Sequence, residues 1–299
     1  MTVVRNDLAG LVRTIASILC KDLQKVIKRI LIVDGHSTDG SLTYAKQLAF
    51  KCKEVELLTA PPKGIYDAMN IALEYLSLDS DLCDEPVLFL NAGDYLINGK
   101  SLRSLVNLLH SSHWATGHAS LIRFGDFPNY ETPKLSYPDS LKPNPHDFWI
   151  PHQALLTRLS DFRSIGFFDL KYRIASDYDF MGRFWETFGP PLVLNEVVSC
   201  QVLNGMSNVR THSAHREKDE IASSFGFDRV VLDTKTNFKW WVKEILLTRF
   251  PLTNSEIRHE HKVIKQLKDK PCHILFQESC PWCNFLKLLD FGTIYDWVE

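Results

Sequence analysis

The chain has 299 residues, of which 45% are hydrophobic, so it is long enough to bury a core that needs no disulfide or metal support. A formal net charge of −2 gives no overall basic field, which disfavours nucleic acid as a partner and requires any anionic ligand to be held by local groups. Because the seven cysteines are scattered and no apolar run approaches roughly 20 residues, we expect reduced thiols, no signal peptide, no membrane span and a cytoplasmic location with at most peripheral contact to the inner face of the membrane.

Strands and helices alternate through the first 110 residues. Short apolar runs bounded by turn residues predict strands, and apolar residues at helical spacing predict the helices between them. The predicted elements are strand 2–5, helix 8–19, strand 30–33, helix 41–50, strand 55–58, helix 65–76, strand 87–90 and helix 101–110. This alternation predicts an α/β fold with a doubly wound, mostly parallel sheet and helices on both faces.

The stretch 86–96 is the first candidate for a ligand site. Its apolar strand stops at the polar bend Asn91-Ala92-Gly93-Asp94, so a carboxylate lies at a strand's C-terminal end, where ligands bind in open α/β sheets. A hard divalent cation on a diphosphate needs only one or two protein carboxylates, and Asp94 is a candidate ligand. The alternative is that Asn91 and Asp94 only cap a turn.

Two further positions fit a nucleotide. Asp34 ends the second predicted strand, where an aspartate often accepts hydrogen bonds from a base or ribose; the alternative is that the residues after it only cap the next helix. Lys63 precedes the helix that starts near Ile65, and a cation beside free backbone N–H groups suits an anionic ligand. The alternative for Lys63 is a solvated side chain.

The pattern loosens after residue 110. We predict a strand at 114–124 and a functional loop at 125–151 that forms a lid or a groove wall on the acceptor side, because loops this long are uncommon unless they are functional. His152 and Gln153 precede the apolar run 154–156, and His152 fits either a substrate contact or a hydrogen-bonded strand end.

A helix is predicted from Ser176, which is a candidate cap, with phenylalanines at fourfold spacing on one face. Asp177 and Asp179 lie in its first turn, where the helix dipole stabilises carboxylates whatever the function. An ionised carboxylate is also in the right state to take a proton from a hydroxyl. Two strands, 192–198 and 199–203, are predicted to follow.

Four blocks in this order carry a family resemblance. They are Val33-Asp34-Gly35-His36-Ser37-Thr38-Asp39-Gly40-Ser41, Gly64-Ile65-Tyr66-Asp67-Ala68-Met69-Asn70, Phe89-Leu90-Asn91-Ala92-Gly93-Asp94 and Ser176-Asp177-Tyr178-Asp179. Over residues 1–210 the chain resembles the family 2 glycosyltransferases with the GT-A fold, in the bacterial branch that builds surface polysaccharides. The resemblance implies transfer of a sugar, with inversion, from a nucleoside diphosphate sugar to a hydroxyl of a saccharide or lipid-linked saccharide, aided by Mg²⁺ or Mn²⁺.

The resemblance also implies roles for single residues. Asp34 matches the aspartate that binds the nucleotide base, and Thr2 lines the same pocket. Asp94 matches the metal-binding aspartate, and Asp177 matches the general base, although Ser176 replaces the glutamate often found before it. The remaining candidates for contact with the donor or acceptor sugar are Asn91, His152 and Asp179.

One departure from the family pattern leaves an alternative open. Asn91 and Gly93 stand where many members have acids, which implies weaker metal affinity and leaves strict metal dependence undecided. A nucleotide-sugar-binding protein of the same fold without catalysis is therefore the alternative function. A nucleotidyltransferase is disfavoured because residues 6–10 lack a glycine-rich, basic loop.

The composition changes after residue 211, and we predict a mainly helical extension over 212–299. His212 and His215 fit solvated side chains better than metal ligands. The stretch 238–250 mixes aromatic, aliphatic and basic residues, which fits either an interfacial helix or one packed on the first domain. Cys280 and Cys283 resemble a redox motif that lacks its usual fold context, so two ordinary thiols are favoured.

Overall fold

The computed structural model describes residues 1–19, 21–61, 63–122, 150–202 and 211–227. Three parallel strands form a first sheet in the order β1-β2-β3. Its elements are β1 (Thr2–Val4), α1 (Leu8–Ile18), α2 (Lys21–Gln24), β2 (Ile30–Asp34), α3 (Ser41–Lys51), β3 (Val55–Thr59) and α4 (Ile65–Leu76). Alternate β2 residues enter two different hydrophobic clusters, with Leu31 and Val33 on one face and Ile30 and Ile32 on the other. Both faces are therefore covered, as expected for a doubly wound sheet.

The structure contains a shorter regular strand here than the predicted strand 87–90. Only β4 (Pro86–Val87) pairs in a ladder, antiparallel to a later strand, and the chain then turns to run beside β1. The N–H of Leu90 donates to the carbonyl of Met1 at 2.9 Å, and that of Ala92 donates to Val3 at 3.1 Å. The polar bend 91–94 therefore lies at the same sheet edge as the ends of β1 and β2.

A second sheet of mixed direction completes the described fold. Its strands follow the order β4-β7-β6-β8-β5, with β6 and β8 parallel and the other neighbours antiparallel. The remaining elements are β5 (Tyr95–Leu96), α5 (Gly99–Leu109), β6 (Trp114–Ile122), β7 (Leu155–Arg158), α6 (Leu159–Ile165), α7 (Ser176–Phe188), β8 (Leu192–Val202) and α8 (Thr211–Ser224). The two strands predicted over 192–203 were wrong as separate elements, because β8 is continuous and absorbs its irregularity as register shifts against β6.

Aromatic packing fixes the position of α7. The predicted face is confirmed, since Phe180 and Phe184 are buried and Phe180 stacks on Phe162 with 4.4 Å between ring centroids. Ser176 was wrong as the predicted cap: it is the first helical residue, and its hydroxyl donates to the carbonyl of Asp169 at 2.8 Å.

The start of α7 is held from another helix. Three consecutive N–H groups, those of Arg173, Ile174 and Ala175, donate to the carboxylate of Glu217 on α8 at 2.8–3.0 Å. The predicted domain boundary at 211/212 stays a prediction, and the described part of the region beyond it packs directly on α7. The predicted loop 125–151 is described only at its end, and the stretch 238–250 and both C-terminal cysteines lie outside the described residues.

Candidate active site

Asp34 and Thr2 are buried polar residues on one face of the first sheet, Asp34 at the end of β2 and Thr2 at the start of β1. Strand register pairs Thr2 with Ile32 and Val4 with Asp34, so the Thr2 and Asp34 side chains share one face two positions apart. The Asp34 Oδ1 atom accepts from the Ser37 N–H at 2.8 Å, which is a local turn contact. Asp34 Oδ2 and Thr2 Oγ1 are buried without a hydrogen-bond partner in the described part of the chain. Unpaired buried polar atoms are costly, so this pair is suited to a ligand that supplies donors and acceptors.

The bend 91–94 is held rigidly by α1. The Thr14 hydroxyl donates to the carbonyl of Asp94 at 2.6 Å and accepts from the Gly93 N–H at 3.1 Å. Gly93 has φ +102°, a left-handed conformation that favours glycine. The glycine that replaces the acid of many family members is therefore required by the backbone geometry of this bend.

The side chains of the bend offer hard oxygen donors. The Asp94 Oδ2 atom accepts from Gln153 Nε2 at 3.1 Å, and Asn91 Oδ1 is buried without a hydrogen-bond partner among the described residues. Across the described ranges, no group of three or more His, Cys, Asp or Glu side chains is arranged to hold a metal alone. This donor set fits Mg²⁺ or Mn²⁺ of the kind that takes most of its ligands from phosphate oxygens and water.

Asp177 lies at the centre of a hydrogen-bonded cluster. Its Oδ1 accepts from the Tyr66 hydroxyl at 2.9 Å and from the Tyr178 N–H at 3.0 Å. Its Oδ2 lies 3.2 Å from His152 Nδ1, and the side chain is 15% exposed. Tyr66 on α4 also lies 2.9 Å from the carbonyl of Ile174, but the anionic carboxylate is the stronger acceptor for its single proton.

These contacts keep Asp177 ionised. Burial acts to raise the pKa of Asp177, but the hydrogen bonds and charge from His152 and the hydrogen bond from Tyr66 outweigh it, so the pKa lies below its ordinary value. Burial and the charge of Asp177 raise the pKa of Tyr66 well above its ordinary value. Lys218 on α8 adds positive charge nearby: its Nζ sits 3.9 Å from the centre of the Tyr178 ring, and burial lowers its pKa against the opposing effect of Asp177.

The dipeptide His152-Gln153 joins the two carboxylates. His152 contacts Asp177, while its neighbour Gln153 donates to Asp94. His152 Nε2 also lies 3.2 Å from Asn91 Nδ2, in the same bend as Asp94. The predicted positions Asn91, Asp94, His152 and Asp177 are thus brought together at one place.

Two predicted site residues lie apart from this cluster. Lys63 has an exposed side chain, and its backbone N–H donates to the carboxylate of Asp67 at 2.8 Å, so contact of its side chain with a nucleotide stays a prediction. Asp179 is buried and forms an ion pair with Arg183, with 2.8 Å between Oδ2 and Nη2. Arg183 in turn donates to three carbonyls at residues 165–167, so Asp179 holds α7 against the end of α6.

Several contributors were missed by sequence reasoning. Tyr66 lies in the block 64–70 that carries the family resemblance, and nothing else in the sequence indicated its contact with Asp177. Gln153 was noted only as the neighbour of His152, whereas Glu217 and Lys218 come from a distant part of the chain, where no local pattern marks them.

Solved structures share this fold, and curated relatives share part of the sequence. S. aureus TarS in complex with UDP matches 90% of this chain and 78% of its own, with TM-score 0.54 and 15% identity. A Pyrobaculum calidifontis mannosyltransferase in complex with GDP-Man and Mn²⁺ matches 99% of this chain and 86% of its own, with TM-score 0.52 and 11% identity. A "PGL/p-HBAD biosynthesis glycosyltransferase" of Mycobacterium tuberculosis is 24% identical over 238 residues, which cover 73% of this chain and 81% of the relative.

The family model described as "Glycosyl transferase family 2" matches residues 1–174, which include Asp34, the bend 91–94 and His152. In the described part of the chain, no helix has the length and apolar character to cross a membrane. With more than half of its residues matched, the chain belongs to glycosyl transferase family 2 and is a nucleotide-sugar glycosyltransferase of the GT-A fold.

Proposed function

We propose that this glycosyltransferase inverts the anomeric carbon and uses Asp177 as its general base. The observation that carries the proposal is an ionised, largely buried carboxylate linked through His152-Gln153 to Asp94. The family-model match ends at residue 174, so the role of Asp177 depends on this geometry. A base within reach of the acceptor hydroxyl and a second carboxylate beside the diphosphate are what a single displacement needs.

The displacement balances with the groups at hand. The acceptor hydroxyl gives its proton to Asp177 Oδ2 while its oxygen bonds to the anomeric carbon. The bond from that carbon to the diphosphate oxygen breaks, and its electron pair leaves with the nucleoside diphosphate. Attack opposite the leaving group inverts the configuration.

The two other acids hold the donor. Asp34 and Thr2, with their unpaired buried oxygens, bind the nucleotide base or ribose. Asp94, together with the unpaired Asn91 Oδ1, would hold Mg²⁺ or Mn²⁺. When bound, the cation would neutralise charge on the departing diphosphate. Three structural neighbours were solved as complexes with Mn²⁺, which supports a divalent cation here.

The substrates are proposed from the relatives. The TarS complexes contain UDP or UDP-GlcNAc, and a glucosyl-3-phosphoglycerate synthase complex contains UDP and Mn²⁺. A nucleoside diphosphate sugar is therefore the donor, and a saccharide or lipid-linked saccharide in surface polysaccharide synthesis is the acceptor. We further propose a cytoplasmic enzyme with peripheral contact to the membrane.

The first experiment identifies the donor. The thermal unfolding midpoint is measured with UDP, GDP and dTDP sugars in the presence of Mn²⁺. A ligand that binds only the folded state at about 100 times its Kd adds about 2.7 kcal/mol to the free energy of unfolding, so one donor should stand out. The anomeric configuration of the product, read by NMR, then tests inversion.

The second experiment tests the base. Asp177→Asn should lower kcat by about 10² to 10⁴-fold while nucleotide binding persists. Glu186→Gln, at an exposed position on the same helix, is the matched control and should leave kcat unchanged. Full turnover by Asp177→Asn contradicts the assignment. Nucleotide binding by the unmodified protein without release of nucleoside diphosphate, across saccharide acceptors, would instead favour the non-catalytic binding protein.

A further inference from the structure

His152 occupies the point where the donor side and the acceptor side of the site meet. It lies in a single 3-10 turn (His152–Ala154) just before β7, with its side chain 21% exposed. One ring nitrogen, Nδ1, lies 3.2 Å from Asp177 Oδ2, and the other, Nε2, lies 3.2 Å from Asn91 Nδ2. Both ring nitrogens are therefore engaged by protein groups, which is not the arrangement expected of a side chain kept free for a sugar.

The contact with Asp177 defines the role of Nδ1. Asp177 is ionised and can only accept, so the hydrogen must be on Nδ1. The other ring nitrogen, Nε2, lies beside the side-chain amide of Asn91, so the ring is held from both sides.

A count of lone pairs shows what His152 does for Asp177. An ionised carboxylate has about four acceptor positions, two on each oxygen. The Tyr66 hydroxyl and the Tyr178 N–H occupy those of Oδ1, and His152 occupies one on Oδ2. Among the described residues no group occupies the second position on Oδ2, beside the imidazole, which leaves it for an incoming hydroxyl.

We propose that His152 is a positioning residue that holds Asp177 through its Nδ1–H and so sets the direction in which the base faces the acceptor. The proposal rests on the role of Asp177 as base. Through Asn91, the same ring ties the orientation of the base to the bend that carries Asp94. His152 then contributes to kcat, and it does not contribute to the affinity for either sugar.

Three substitutions at this position separate the two ring nitrogens. Asn places an amide N–H close to the position of Nδ1, Gln places one close to that of Nε2, and Ala removes both. His152→Ala should lower kcat by about 10²-fold, the size expected for a misplaced catalytic group, with the KM values for donor and acceptor within about twofold of the original. His152→Asn should recover about tenfold of that loss and His152→Gln should not.

A second histidine in the chain provides the control. His113 also pairs with a carboxylate, with 3.0 Å between Nδ1 and Asp161 Oδ1, and it lies outside the Asp177 cluster. His113→Ala should leave kcat unchanged. The thermal unfolding midpoint of each variant is measured alongside, and if His152→Ala does not fold, the comparison of the Asn and Gln variants decides.

The outcomes distinguish this inference from the proposed function. An unchanged kcat with a raised KM in His152→Ala would make His152 a substrate contact and overturn the inference. Equal losses in the Asn, Gln and Ala variants would overturn the role of Nδ1. If Asp177→Asn is inactive while His152→Ala is fully active, only the inference fails; if Asp177→Asn is active, the assignment of the base fails. In the Asp177→Asn background, His152→Ala should cost little more, because the two residues act as a unit.

Discussion

Replacement of Glu217 by glutamine tests whether α8 holds the start of α7 in place. The carboxylate accepts one N–H on Oε1, from Arg173, and two on Oε2, from Ile174 and Ala175. Glutamine keeps one acceptor oxygen and brings an NH₂ group to the place of the other. At least one backbone N–H would then face a donor, and the negative charge at the start of α7 would be lost.

The size of the effect follows from burial. A hydrogen bond to a charged group is worth about 1.5–3 kcal/mol, and leaving a buried partner unpaired costs a similar amount. Arg173 is exposed and contributes little, whereas Ala175 is buried and Ile174 is half-buried. We therefore expect Glu217→Gln to lower the free energy of unfolding by about 2–3 kcal/mol. At about 2–4 °C per kcal/mol, the midpoint of thermal unfolding should fall by about 4–12 °C.

Urea unfolding with a matched variant provides the measurement. Glu220→Gln removes a carboxylate from the same helix, but Glu220 is half exposed and pairs with the exposed Lys171. Surface pairs contribute about 0–1 kcal/mol, so this control should move the urea midpoint little. Equal shifts for the two variants, with unchanged m-values, would refute a special role for Glu217.

Three further substitutions separate catalysis from stability. Tyr66→Phe removes a hydrogen bond that lowers the pKa of Asp177, so the activity that is lost as pH falls through that pKa should be lost at a higher pH, as measured in the kcat/KM profile. Gly93→Ala should cost about 1–2 kcal/mol of stability and weaken Mn²⁺ activation because φ is +102°, whereas Gly64→Ala, at φ 171° with nothing within 4 Å, should unfold like the original protein. Asp179→Asn should lower the unfolding midpoint and leave the donor KM unchanged, because its ion pair is structural.

The fold was predictable where the signal is local. The run 30–33 is apolar on both faces and β2 is buried along its whole length, which is why the parallel sheet could be predicted from the first 110 residues. The strand 87–90 was less predictable, because the chain pairs with β7 at Pro86–Val87 and then with β1 from Leu90 onward. Likewise, 192–203 reads as two strands because register shifts against β6 are invisible in a single sequence.

The sequence predicted which residues belong to the site, but it did not predict which of them contact each other. Asp177 and Asp179 stand two residues apart in one helical turn, so their side chains point about 200° apart and only one can face Tyr66 and His152. The sequence shows that the two side chains point in different directions, but it does not show which of them faces the site, because both residues suit a helix start equally well. Contacts with other residues decide which aspartate faces the site. Asp177 contacts His152, 25 residues away, and Tyr66, 111 residues away, whereas Asp179 pairs with Arg183 in the next turn of the same helix. The surroundings of each aspartate therefore depend on which residues the fold brings into contact with it. A base can be assigned from sequence only by resemblance to proteins in which those contacts are already known.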